Sequence, residues 1–356
     1  MIFGVTTHSF LIVVEIDRDW HLRSYELLNT GYHYGIAVIE DEGREFSSAQ
    51  TERQFIVYRG GESVSEQNDP RLTRYRQNGN SFEAVGSIPF AGEAGDVHQI
   101  VYANGGLYIA NTKYNTLLFQ SLEGDRSQEY VFENVRIDTN HVNSVYPCGD
   151  QVFVMLHNQR RKESEIVLLQ HDFSKGLALR QRLSLWHENC HNVFFDEARL
   201  YYNASLAKRL VAVDLERERV SKKLSFARIT SDMPVNSGHV KGISVTKDHL
   251  VVGVSEHTTR EKRPTSKGYL AVVDRHSLST LAVIDLNFPD LPHPIGNINE
   301  VRCLSGGELG QSRSASSKVD WSVIRLAKSS PLAFYGGRIK GRLLTPVLQV
   351  KRYLSS

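Results

Sequence analysis

Before residue 305 the chain is built from short runs of β-branched and aromatic residues separated by clusters of Gly, Asn, Asp and Ser. Examples are "FLIVVEID", "LYIAN", "TLLFQ", "RLVAVD" and "GYLAVVD". Such runs bounded by turn formers predict strands, and the 3.6-residue periodicity of amphipathic helices is scarce. Six of the runs share a phase. Aligned on Ile36, Ile100, Val145, Val193, Ile243 and Val301, they carry Tyr32, Asp96, His141, Asn189, His239 and Asn297 four residues earlier. Two residues earlier they carry Tyr34, His98, Asn143, His191, Lys241 and Asn299, and the column between is mostly apolar. Strand side chains alternate between faces, so the two polar columns are expected to point the same way.

Successive anchors lie 64, 45, 48, 50 and 58 residues apart, about the length of a four-stranded propeller blade. The last unit runs out of strands after "NEVRCL", whereas the N-terminus supplies "IFGVT", "FLIVVEID" and "HLRSYELL" with no opener of its own. Joining the two ends completes a blade and removes an open sheet edge. The expectation is an all-β, six-bladed β-propeller over 1–304, its ring closed by N- and C-terminal strands, with 305–356 as a linker and C-terminal appendage. A seven-bladed ring would follow if the appendage supplied another blade. A β-sandwich would not explain six repeated polar openers.

Composition narrows the partners. Of 356 residues, 23% are charged and the net charge is only +2, so no global field points to nucleic acid. The longest apolar run near the start, "FLIVV", is too short for a signal core or membrane span, which predicts a cytoplasmic protein. Cys148, Cys190 and Cys303 lack metal-ligand spacing, and Cys190, in the outward middle column, is expected in the core.

In a propeller the inner strands start at one mouth of the central channel, and the loops between second and third strands return there. Asp96, His98, His141, His191 and His239 are therefore candidate catalytic residues. Asn111, Lys113, Asn143, Arg160, Asn203, Lys241 and His257 are candidate substrate-binding residues. Neutral imidazoles of His98, His141, His191 and His239 could ligate a divalent metal, Fe or Zn rather than oxygen-seeking Ca. Without a metal they could work as acids and bases, or simply hydrogen-bond one another and buried water. Asp96 and His98, on one face of one strand, form a candidate carboxylate–imidazole pair. Lys and Arg in the mouth loops suit an anionic ligand. No phosphate-binding loop, dinucleotide fingerprint, zincin helix or nucleophile elbow occurs. The expected function is binding of a small polar anionic molecule, with hydrolysis, elimination or metal-assisted oxidation as the chemistry. A non-catalytic platform holding a protein partner on its rim loops is the other class.

The stretches "HQIVYANGGLYIANTKYNTLLF", "NHVNSVYPCGDQVFV", "HNVFFDEARLYYNASLAKRLVAVDLE" and "VKGISVTKDHLVVGVSE" resemble a family of bacterial conserved-hypothetical proteins of unknown function. The resemblance covers roughly 95–304 and implies a β-propeller with His-led inner strands. It carries over to His98, Asn111, Thr112, Lys113 (Arg in the family), His141, Asn143, His191, Asn203 and Gly242. It departs at His239 and Lys241, does not reach the N-terminal blade or the appendage, and implies no activity.

Overall fold

The structure, a computed structural model, describes residues 1–39, 53–60, 71–133, 138–160, 162–185, 187–195, 199–214, 219–231, 233 and 237–305. The chain opens with β1 (Ile2–Thr7), β2 (Phe10–Ile16) and β3 (Leu22–Thr30). Blade 2 holds β4 (His33–Ile39), β5 (Gln54–Arg59), β6 (Arg71–Asn78) and β7 (Ser81–Ile88). Blade 3 holds β8 (Val97–Ala103), β9 (Gly106–Asn111), β10 (Thr116–Ser121) and β11 (Ser127–Val131). Blade 4 is β12 (Val142–Cys148), β13 (Gln151–Leu156), β14 (Glu165–Asp172) and β15 (Gly176–Ser184). Blade 5 is β16 (Cys190–Phe195), β17 (Arg199–Ala204), β18 (Arg209–Asp214) and β19 (Arg219–Ser225). Blade 6 is β20 (Gly238–Val245), β21 (His249–Glu256), β22 (Gly268–Asp274) and β23 (Thr280–Asp285). The last strand, β24 (Ile298–Cys303), pairs antiparallel with β1, so the order β24-β1-β2-β3 makes the first blade from both ends of the chain. The protein is a six-bladed β-propeller.

Each sheet buries both faces of its inner strands against its neighbours, and this explains why those strands read as continuous apolar runs. Phe153, Phe195, Tyr202, Val211, Val240 and Val252 join blades 4, 5 and 6 in one core cluster. Full burial of each large apolar side chain contributes about 1.5–3 kcal/mol. Cys190 is fully buried, and all three cysteines are free thiols. No helix among the described residues is long and apolar enough to cross a membrane. Residues 306–356, expected to form most of the appendage, lie outside the described residues.

The strand alternation expected at the channel is broken. The first two strands of blades 2 to 6 slip register near the channel, between Tyr34 and Ile36, Val97 and Gln99, Val142 and Ser144, His191 and Val193, and Val240 and Ile243. These bulges turn the residue just before each anchor towards the interior, where Gln99, Ser144, Asn192 and Glu300 are buried. In blades 2 and 6 that position is glycine, with φ of 54° at Gly35 and 78° at Gly242. A Cβ on Gly35 would stand 2.7 Å from the Ile100 backbone nitrogen, and one on Gly242 would stand 2.8 Å from that of Val301. The adjacent inner strand leaves no room for a side chain.

Gly35→Ala should therefore lower unfolding free energy by about 2–4 kcal/mol, combining left-handed backbone strain with a clash against backbone. Urea unfolding measures this, and wild-type stability would contradict the close packing of inner strands.

Candidate functional site at the channel mouth

Tyr34, His98, Asn143, His191, Lys241 and Asn299 come from the same position of six consecutive inner strands and form a ring. All six are more than nine-tenths buried. Lys241 Nζ donates to the Tyr34 hydroxyl at 3.0 Å and lies 4.8 Å from the centre of that ring. The Tyr34 ring also packs against His98, at 4.6 Å between centroids. From His98 a file of imidazoles runs round the mouth: His141 at 4.5 Å, then His157 at 4.6 Å and His191 at 5.2 Å. It continues to His239 at 6.0 Å and His257 at 6.1 Å. On the other side His8 meets Tyr32 edge-on at 4.8 Å.

Hydrogen bonds settle which nitrogen of each key ring carries the proton. His98 Nδ1 lies 2.9 Å from the Asp96 carbonyl and 2.9 Å from Thr112 Oγ1, whose own proton goes to the Val142 carbonyl at 2.6 Å. A carbonyl only accepts, so His98 donates from Nδ1 and keeps its lone pair on Nε2. Blade 5 repeats the device: His191 Nδ1 donates to the Asn189 carbonyl at 3.1 Å and Ser205 Oγ at 2.8 Å, while Ser205 donates to the Val240 carbonyl at 2.5 Å. His141 Nδ1 donates to Asp138 Oδ2 at 2.6 Å, and Gln159 holds the same oxygen. In all three histidines the lone pair is left on Nε2.

Burial holds the imidazoles of His98, His191 and His239 well below the ordinary histidine range, and the nearby Lys241 charge lowers all three further. The Lys241 ammonium therefore acts on neutral imidazoles at His98, His191 and His239. Asp96 stands only 3.6 Å from His98 Nδ1 through its carboxylate, while its backbone carbonyl makes the shorter contact.

The remaining candidates separate. Asn111 is committed to its own loop: Oδ1 accepts from Gly95 N at 3.0 Å, and Nδ2 donates to the Glu93 carbonyl and Thr116 Oγ1. Asn203 lies deeper, its Nδ2 3.3 Å from Asn192 Oδ1. Lys113 is exposed and sits over the Tyr114 ring at 5.5 Å. His257 is exposed at the end of the imidazole file. The side chain of Arg160 lies outside the described residues. Among the described residues no group of three or more His, Cys, Asp or Glu is arranged to hold a metal ion. The four-histidine metal centre expected from the sequence has no support in this geometry: the imidazoles form an extended file of ring contacts rather than a cage.

Sequence reasoning missed Asp138, which lies in the connection before β12 rather than in a repeated column. It also missed the polar layer beneath the ring, where Gln99 Nε2 donates to Glu300 Oε2 at 2.6 Å across blade 2. A readable signal existed: the position before each anchor holds Gly35, Gln99, Ser144, Asn192, Gly242 and Glu300, small or polar in every unit.

No protein-family model and no curated protein matches the chain. Solved structures do. A protein of unknown function from Bacteroides caccae aligns over 85% of this chain and 97% of its own, with a TM-score of 0.55 and 12% identity. The periplasmic gluconolactonase of Pseudomonas aeruginosa aligns over 85% and 98%, at 0.51 and 12%. A chain of the nidogen/laminin complex aligns over 85% and 97%, at 0.52 and 9%. At these identities the likeness is one of propeller architecture.

Histidines kept neutral by burial make stability depend on pH. In the unfolded chain they take up protons below about 6.5, whereas folded His33 and His187 resist until about 4 and His98, His191 and His239 also stay neutral. The unfolded state then binds more protons, so stability is fully present above pH 6.5 and falls as the pH drops towards 4, by up to about 1.4 kcal/mol per pH unit per group. Urea unfolding between pH 7.5 and 4.5 should show this loss, shallower in His191→Gln. A profile flat over that range would contradict it.

Proposed function

We propose that the channel mouth binds a small polar anion and hydrolyses an ester or lactone bond within it. The observation that carries this reading is Lys241: a buried ammonium, ringed by imidazoles that bond neutral, attracts an anionic group strongly because little water screens it. His141 supplies the base. Asp138 holds its Nδ1–H, so Nε2 takes a proton from water as that water's oxygen attacks the substrate carbonyl. Lys241 holds the substrate's anionic group and so orients it, and the proton on Nε2 passes to the departing oxygen, leaving an acid and an alcohol. The Pseudomonas aeruginosa neighbour is a gluconolactonase, which supports a hydrolytic role by analogy of fold alone. A protein-docking role draws less support: of the large exposed apolar side chains among the described residues, Leu206 alone stands in a loop between second and third strands.

A pH-stat screen of carboxylate esters and lactones tests the reading. At least one member should be turned over, and His141→Ala and Lys241→Met should each slow it about 100-fold or more while circular dichroism stays native. No turnover, or turnover indifferent to both variants, would sink the proposal.

A further inference from the structure

The ring around Lys241 has a donor–acceptor pattern that restricts which anion fits. Asn299 Nδ2 donates to the His33 carbonyl at 2.8 Å, which fixes the amide orientation and leaves Oδ1 as a buried acceptor with no partner. Asn143 Nδ2, from the blade facing it across the channel, is a buried donor with no partner. His98 and His191, on either side of Asn143 in blade order, both donate from Nδ1 and present Nε2 as an acceptor. A ligand in this ring meets donors at Lys241 and Asn143 and acceptors at His98, His191 and Asn299.

From this pattern we infer that the site selects a hydroxylated carboxylate, an acid whose carbon chain carries O–H donors beside a free carboxylate, including one that also holds an ester or lactone bond elsewhere in the molecule. This rests on the anion-binding reading given above and names its substrate class. A sulfate dianion or a plain alkyl carboxylate has only acceptors. Either would satisfy Lys241 and Asn143 but leave three buried acceptors facing its oxygens or its hydrocarbon chain, a loss for each of them. Hydroxyl groups pair with the two Nε2 atoms and Asn299 Oδ1 while the carboxylate takes the ammonium. The ring sorts anions by the hydroxyls they carry as well as by charge.

Isothermal titration calorimetry of the full chain at pH 7.5 with D-gluconate, hexanoate and inorganic sulfate tests this. Gluconate should bind at least tenfold more tightly than either other probe, and Lys241→Met and Asn143→Leu should each weaken it at least tenfold. Sulfate or hexanoate binding as tightly as gluconate, with Lys241→Met abolishing it, would overturn selection by hydroxyls and leave the anion site standing. Binding of none of the three, or binding indifferent to Lys241→Met, would overturn both.

Discussion

The antiparallel ladder between β24 and β1 carries the ring. Phe3 pairs with Cys303, Val5 with Val301 and Thr6 with Glu300, so the innermost strand of the first blade comes from one end of the described chain and the other three from the opposite end. A propeller left open there would expose one strand edge on each side and a seam of apolar side chains, and the ladder satisfies both. The same strand brings Asn299, Glu300 and Arg302 to the channel. Closing the sheet and completing the polar interior are one event.

That interior follows from the geometry of six strands converging on an axis. Side chains near the axis crowd, and the backbone answers with bulges and, at two close approaches to the adjacent inner strand, with glycine, Gly35 and Gly242. The space left is filled by polar groups that join blades to one another. Gln99 reaches past Gly35 to Glu300, whose carboxyl is raised by burial although Arg302, 3.6 Å away, and the Gln99 bond pull the other way. Thr112 and Ser205 each tie a histidine of one blade to a carbonyl of the next. Buried charge is a weak source of stability, because desolvation offsets attraction. It is retained here inside a polar channel.

The repeated polar openers have two separate physical causes. Asp96, His141 and Asn189, four residues before their anchors, adopt left-handed backbone with φ of 49°, 51° and 55°. Asp, Asn and His tolerate that region better than most residues, so part of the repeat reflects turn conformation and needs no chemistry. In the first and second blades the left-handed residue is a glycine one position earlier, Gly296 and Gly31, and the opener is free to differ. The column two residues before the anchors has no such backbone reason. Its members share a ring, and Lys241 acts on the imidazoles there through space.

The primary structure by itself determined the strands, the blade period, the borrowed strand that closes the ring and the phase of the polar positions that open the inner strands. These are legible because each is a local pattern: β-branched runs, turn residues and a fixed phase of polar positions. The grouping within the mouth was decided only in three dimensions. Bulges shift side chains by one place, so strict alternation in the chain misassigned the layers and hid Gln99, Asn192 and Glu300. Asp138 belongs to no repeated column and reaches His141 only through the path of the connection before β12. Asn111, which shares a motif with the histidines, turned inward to secure its own loop. The carbonyl two residues earlier takes the Nδ1 proton of His98 and of His191, and a hydroxyl whose own proton goes to a carbonyl of the adjacent blade lies against the same nitrogen. No one-dimensional pattern encodes the second partner, because it is set by how neighbouring blades pack.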